Sequence, residues 1–186
     1  AAYAEGNFRK SIVGDPIFER VNTGSNLPCI LYSELVPGDR LILDIMMKGF
    51  GSENCSGLVM ANPTAGAEGV ADAVVEIVTR AGGKPCPPVV VGIGVGGTAD
   101  RALLLSKKAL LRKLDDTHPD VRYAALEQEI LERVNALGIG PGGWGGPTTA
   151  LAVKVMAEAT HIAGMPVGVS ISCWADRKER IILSGE

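Results

Sequence analysis

The stretch from Pro85 to Leu111, PCPPVVVGIGVGGTADRALLLSKKALL, constrains the fold of this chain more than any other. Pro85, Pro87 and Pro88 fix φ around Cys86 and remove backbone donors beside it, so the thiol is held in one place. The β-branched run that follows reads as a buried strand over Val89–Val91, extendable to Val95. A glycine-rich turn comes next, and Thr98 stands as the N-cap of an amphipathic helix over Ala99–Leu111. A thiol held rigidly at the mouth of a buried strand points to a ligand or a nucleophile.

The remaining elements follow from pattern. Residues 1–6 read as the end of a helix with Gly6 as its C-cap. Cys29–Leu35 and Arg40–Met47 read as two strands joined by the turn Val36-Pro37-Gly38-Asp39. Lys48–Ser56 is a glycine-bearing loop. Gly66–Ala81 carries Val70, Val74, Ile77 and Val78 on one helical face and stops at Gly82-Gly83. Pro119–Leu137 is a second helix, with Glu129 and Arg133 as an i,i+4 pair and His118 in the capping turn before it. The loop Gly138–Gly146 has six glycines in nine residues. Leu151–Met156 and Met165–Ser172 are strands, Thr160-His161 lies in a loop, and Cys173 falls at a strand end. Strands and helices mix without strict alternation. The expected fold is therefore mixed α/β, a single domain of mixed sheets flanked by helices.

Composition narrows the function classes. With 46% apolar residues in 186 but only 4% aromatics, the core must be Val, Ile, Leu, Ala and Met. The net charge of −3, without a basic run, argues against nucleic acid as a partner. No apolar run reaches the ~18 residues of a membrane span. The four cysteines, at 29, 55, 86 and 173, contain no C-x-x-C pair. With no signal peptide visible, they fit a reduced, cytoplasmic setting better than a disulfide framework.

Four groups of residues can carry chemistry. Gly92, Gly94 and Gly97 fit G-x-G-x-x-G between a strand and a helix, which is the dinucleotide-binding context. The acidic residue that should end a second strand about 20 residues on is missing. The bland alternative is that these glycines permit close strand–helix packing. Cys86 and Cys173 flank strands, one before and one after, and thiolates select soft metals and iron–sulfur clusters. They are otherwise two inert core thiols. His161 lies twelve residues before Cys173, and Arg9, in NFRKS, has the guanidinium that clamps carboxylates. A third possibility for the whole chain is a structural piece that docks on a partner.

The stretches GNFRKSIV, DPIFERVNTGSN, VPGDRL, KGFGSEN, PCPPVVVGIGVGGTADRALLLSKKALL, LGIGPGGWGG and THIAGMPVGVSISCWADR together resemble the α part of the iron–sulfur hydro-lyases, class I fumarate hydratase and L-tartrate dehydratase. They span nearly the whole chain in the family's order. The resemblance implies reversible dehydration of malate to fumarate, with L-tartrate as the alternative substrate. It implies a [4Fe–4S] cluster with one open iron, held by Cys86, Cys173 and a third cysteine from an upstream C-Q-D-T-G motif that this sequence lacks. It implies Arg9 as the substrate-carboxylate arginine, Gly51 as a backbone contact to substrate, and His161 as an active-site histidine near the cluster. On this reading residues 1–186 are an α-type catalytic domain without its N-terminal segment. Its partners are a β subunit or domain and further copies of itself, and the fragment is inactive alone.

Overall fold

The computed structural model describes residues 5–27 and 29–184. The chain divides into two compact units, one ending at Asp39 and one beginning at Arg40.

The larger unit is built from two sheets. Strand β1 (Arg40–Met47) leads into a single helical turn, α1 (Phe50–Glu53), and strand β2 (Gly57–Ala61). Helix α2 (Gly66–Ala81) precedes β3 (Val89–Gly97). Helices α3 (Ala99–Ala109) and α4 (Val121–Ala136) separate β3 from β4 (Ala150–Thr160). Strands β5 (Met165–Ser172) and β6 (Arg177–Ser184) complete the chain. The main sheet has the order β2-β5-β3-β4, with β2–β5 and β5–β3 antiparallel and β3–β4 parallel. β1 and β6 form a separate antiparallel ribbon.

Alternation along β3 explains the layering. Val89, Val91 and Ile93 face the core formed by α2 and α4, where Val74, Ile77, Ile130 and Val134 meet Val167, Val169 and Ile171 of β5. Each fully buried side chain of this kind contributes about 1.5–3 kcal/mol. The other face of β3 presents Gly92 and Gly94 to α3. A Cβ at Gly92 would lie 2.2 Å from the Ser106 carbonyl oxygen, and one at Gly94 would lie 2.1 Å from that of Ala102. Gly168 of β5 meets Ala102 in the same way, at 2.4 Å. Beside it the Ser170 and Ser106 hydroxyls share a buried 2.7 Å hydrogen bond. Helix α3 thus lies directly on sheet backbone, and the glycines of the G-x-G pattern are packing residues. A larger residue at Gly92 or Gly94 would have to lift α3 off the sheet.

The expected mixed α/β architecture is found, with helices on both faces of a mixed sheet. Gly66–Ala81 and Met165–Ser172 form the elements expected of them. Residues 29–35 form no strand. The ladder of β1 goes instead to β6, from Arg40–Ser184 to Met47–Arg177. The loop expected over 48–56 contains α1, and Gly57–Ala61 and Arg177–Ser184 are additional strands. The helix end expected over residues 1–6 lies largely outside the described residues. Thr98 occupies the N-cap position of α3, but its hydroxyl donates to Asp100 at 2.6 Å instead of capping a backbone amide. No helix among the described residues is long and apolar enough to cross a membrane.

Candidate active site

Antiparallel pairing of β3 with β5 sets the geometry. Val90 faces Ser172, so Cys173, one residue on, leaves the sheet at the end where Cys86 enters β3. Cys86 is exposed and Cys173 half-buried. The Cys86 loop is pinned on several sides. Pro85 and Pro87 are buried on either side of it, and its own backbone is left-handed, with φ 59°. Its N–H donates to the Gly83 carbonyl at 3.2 Å, the Pro87 carbonyl accepts from Gly142 N–H at 2.8 Å, and Val89 N–H donates to the Thr149 carbonyl at 2.8 Å. The Pro87–Pro88 peptide bond is cis.

The glycine-rich loop serves this cysteine. A Cβ on Gly143 would stand 2.7 Å from Gly83 Cα, and one on Gly140 would stand 2.0 Å from the Gly145 carbonyl oxygen. Both glycines have φ above +60°, a region that other residues enter at a cost. The loop therefore folds tightly on itself and against the turn that carries Cys86. The Asn135 carboxamide oxygen accepts from Thr149 and Ala150 N–H, both at 2.8 Å, which anchors the far end of that loop to α4.

Gly51 reaches the same end of the sheet. A Cβ there would sit 3.5 Å from the Lys84 carbonyl oxygen, two residues before Cys86. Its turn, α1, has Ser52 as its buried residue and is braced by charge. The Glu53 carboxylate takes Lys48 Nζ on one oxygen at 2.8 Å and Lys107 Nζ of α3 on the other at 2.5 Å. Lys48 Nζ also donates to Ser52 Oγ at 3.3 Å. Burial pushes the Lys48 ammonium below the usual lysine range, with Glu53 opposing. Burial also works against the Glu53 carboxylate, but the two ammonium groups outweigh it and hold that carboxyl below its ordinary value. Two lysines and one carboxylate leave one net positive charge on this brace. Sequence reasoning picked out Gly51 but missed this brace. Lys48 and Glu53 are legible as an i,i+5 pair, whereas Lys107 is distant in sequence.

The other expected site residues lie elsewhere. His161 follows Thr160, which pairs with Gly97 at the opposite end of the main sheet. At about 3.3 Å per residue, the strands separate it from the cysteine end by roughly 25 Å. Its Nδ1 accepts from Ala163 N–H at 3.1 Å, and it lines an open hollow of about 510 Å³ with Gly97, Thr98, Asp100, Arg101 and Thr160. Within one chain the β3–β5 register and the Gly51–Lys84 approach leave Gly51, Cys86 and Cys173 at the same end of the main sheet, with His161 at the other. Arg9 belongs to the unit that ends at Asp39. Cys29 is exposed, and Cys55 is buried with its thiol donating to the Gly51 carbonyl at 3.3 Å.

Two thiols at one end of a sheet suit a group held by thiolates. Among the described residues, no three His, Cys, Asp or Glu side chains gather closely enough to hold a metal ion. Cys86 and Cys173 therefore fit as part of a ligand set and not as all of it.

The class of protein is shown by sequence similarity to a known enzyme family. Residues 1–182 match the family described as fumarate hydratase (fumerase), and the chain belongs to it. It is 52% identical over 160 residues to the putative L(+)-tartrate dehydratase subunit alpha of Methanocaldococcus jannaschii, covering 86% of this chain and 56% of that protein. It is 33% identical over 174 residues to the L(+)-tartrate dehydratase subunit alpha of Escherichia coli O157:H7, covering 91% and 57%. The chain spans about half the length of the curated relatives it matches.

Proposed function

We propose that these residues form the larger part of the α-type catalytic domain of a hydro-lyase that reversibly dehydrates a 2-hydroxydicarboxylate. The observation that carries this reading is the β3–β5 register, which sends Cys86 and Cys173 toward the same end of the main sheet as Gly51. Malate, giving fumarate, is the first substrate reading. L-tartrate is the second, favoured by the names of the relatives. A β subunit completes the enzyme, since the relatives are named as alpha subunits. A cytoplasmic, reducing setting suits three accessible or half-accessible thiols better than an oxidising one.

Removing water from such a substrate requires help for a poor leaving group and a base for the adjacent C–H. Cys86 and Cys173 would hold a [4Fe–4S] cluster, its remaining ligand coming from outside these 186 residues. When bound, the cluster supplies an open iron as Lewis acid toward the leaving hydroxyl. Arg9 clamps a substrate carboxylate through its planar fork of donors. Gly51, without a side chain, lets the substrate approach the backbone beside the Cys86 loop. The net positive charge of Lys48, Glu53 and Lys107 draws the dianion to that end of the sheet. His161, held by the strands at the far end of its own sheet, would serve the cysteine end of another copy, so the working enzyme is a homo-oligomer of this part.

The test is anaerobic reconstitution of the full α subunit with its β subunit, assayed with malate, fumarate and L-tartrate. Turnover of at least one, with a clear kcat/KM preference between malate and tartrate, is expected. A reconstituted complex that dehydrates neither would overturn the reading.

A further inference from the structure

The unit that ends at Asp39 contains a device for which the reaction chemistry alone gives no reason. Its backbone forms little regular structure. Val13 and Asn22 make an isolated antiparallel bridge, with Gly14 N–H donating to the Val21 carbonyl at 2.9 Å and Thr23 N–H to that of Ile12 at 2.8 Å. Apolar burial does not hold it, since Phe8, Ile17 and Phe18 are all exposed. The stretch Arg9–Ile12 is instead gripped by two asparagine side chains. Asn26 Nδ2 donates to the Arg9 carbonyl at 2.9 Å. Its Oδ1 accepts from Ser11 N–H at 2.5 Å and Ile12 N–H at 3.2 Å. Asn22 Nδ2 donates to the Lys10 carbonyl at 2.8 Å. Asn26 is itself left-handed, with φ 57°, a region in which asparagine is several-fold enriched.

We propose that Asn26 is a positioning residue for Arg9, its carboxamide fixing the backbone that carries the guanidinium so that the arginine meets a substrate carboxylate in one orientation. This rests on the hydro-lyase reading of Arg9 given above. The physical reason is preorganisation. An arginine side chain already has several rotatable bonds, and a bidentate clamp works only if the peptide groups beneath it do not add more. One carboxamide serves both needs here, because its donor and its acceptor engage different peptides on the same short stretch.

The experiment uses the full α subunit assembled anaerobically with its β subunit, with malate and L-tartrate as probes. Asn26→Ala is expected to raise KM for the productive substrate about tenfold, with kcat within about twofold and iron and sulfide content unchanged. Asn26→Gly keeps the left-handed backbone and should match Asn26→Ala. Asn26→Asp keeps the acceptor but loses the donor to Arg9, and should fall between it and the native enzyme. In an Arg9→Ala background, Asn26→Ala should change kcat/KM no further, because the group it orients is gone. Native KM in Asn26→Ala, full additivity with Arg9→Ala, or loss of iron from the Asn26 variants would overturn the proposal. If Arg9→Ala itself leaves KM unchanged, the assignment of Arg9 has failed and the proposal falls with it. That result is distinct from a failure of Asn26 alone.

Discussion

Gly94 shows how little room a single residue has in this fold. Alanine there would bring its Cβ 2.1 Å from the Ala102 carbonyl oxygen and 2.5 Å from Ser106 N, so α3 must lift off the sheet. Gly94→Ala should therefore destabilise the protein by about 1–3 kcal/mol, the usual cost of overpacking. Gly164 has open space around it and no positive φ, so Gly164→Ala should stay within about 0.5 kcal/mol of native. Urea denaturation of both variants checks the contrast. The spacing of Gly92, Gly94 and Gly97 was legible in the sequence, but its meaning was not. Glycines that admit a phosphate and glycines that admit a helix are the same residue at the same spacing, and only the position of Ala102 and Ser106 tells them apart. Asp120 carries a residue-scale pH dependence. It caps α4 by accepting from Arg122 N–H at 2.9 Å. The Arg122 guanidinium and that amide pull its carboxyl down to about 2 from 3.8. A depressed carboxyl stabilises the fold above its unfolded value and loses that contribution as pH falls through the folded one. The N-terminal turn of α4 should thus hold at pH 4 and fray toward pH 2, read by amide exchange of residues 121–124, and Asp120→Asn should flatten that dependence.

At the scale of elements, β4 is an edge strand whose exposure is managed by charge. Glu127 of α4 is almost fully buried, and its carboxylate accepts from Val155 N–H at 2.7 Å and from Arg112. Arg112 also donates to the Val155 carbonyl at 3.0 Å and pairs with Asp116. Asp116 takes Lys154 Nζ at 2.9 Å. Burial opposes the Arg112 charge, but Asp116 and Glu127 outweigh it and raise its pKa. The network occupies part of the edge that another strand would otherwise seek. Glu127→Ala leaves Arg112 with half its compensation and strands the Val155 amide. It should cost on the order of 3 kcal/mol and increase self-association, measured by denaturation and by sedimentation. Elements with strong periodicity were legible, as Gly66–Ala81 shows, where Val70, Val74, Ile77 and Val78 all turn inward. The short strand Gly57–Ala61 was not, because five residues beginning with glycine carry little periodic signal. Arg177–Ser184 opens with four charged residues, Arg177, Lys178, Glu179 and Arg180, which carry no strand alternation. It becomes a strand through pairs such as Asp44–Arg180, at 2.6 Å. The stretch Cys29–Leu35 has the composition of a strand but pairs with no strand among the described residues.

For the whole molecule, the main sheet separates two chemical ends. One gathers Cys86, Cys173, Gly51 and the Lys48–Glu53–Lys107 brace, and the other holds His161. The cysteine end was legible only in part. Proline cradling singled out Cys86, and a strand boundary singled out Cys173, but their lying at one end of the sheet depends on the β3–β5 register, which no local pattern encodes. The placement of His161 escaped for the same reason, since twelve residues before Cys173 means the length of a strand away. The ribbon of β1 and β6 leaves Leu41, Ile45 and Ile182 about half exposed, at 57%, 48% and 50%, and Lys178 ties its base to the turn that ends α3 by donating to the Leu110 and Arg112 carbonyls at 2.8 and 2.7 Å.

The most direct measurement is iron and sulfide quantitation, with the visible absorption spectrum, on the anaerobically reconstituted αβ enzyme and its Cys86→Ser, Cys173→Ser and Cys29→Ser variants. The first two should each lose the cluster and with it the dehydration of malate or tartrate, while Cys29→Ser keeps both. A stable, active cluster in either Cys86→Ser or Cys173→Ser would contradict the account.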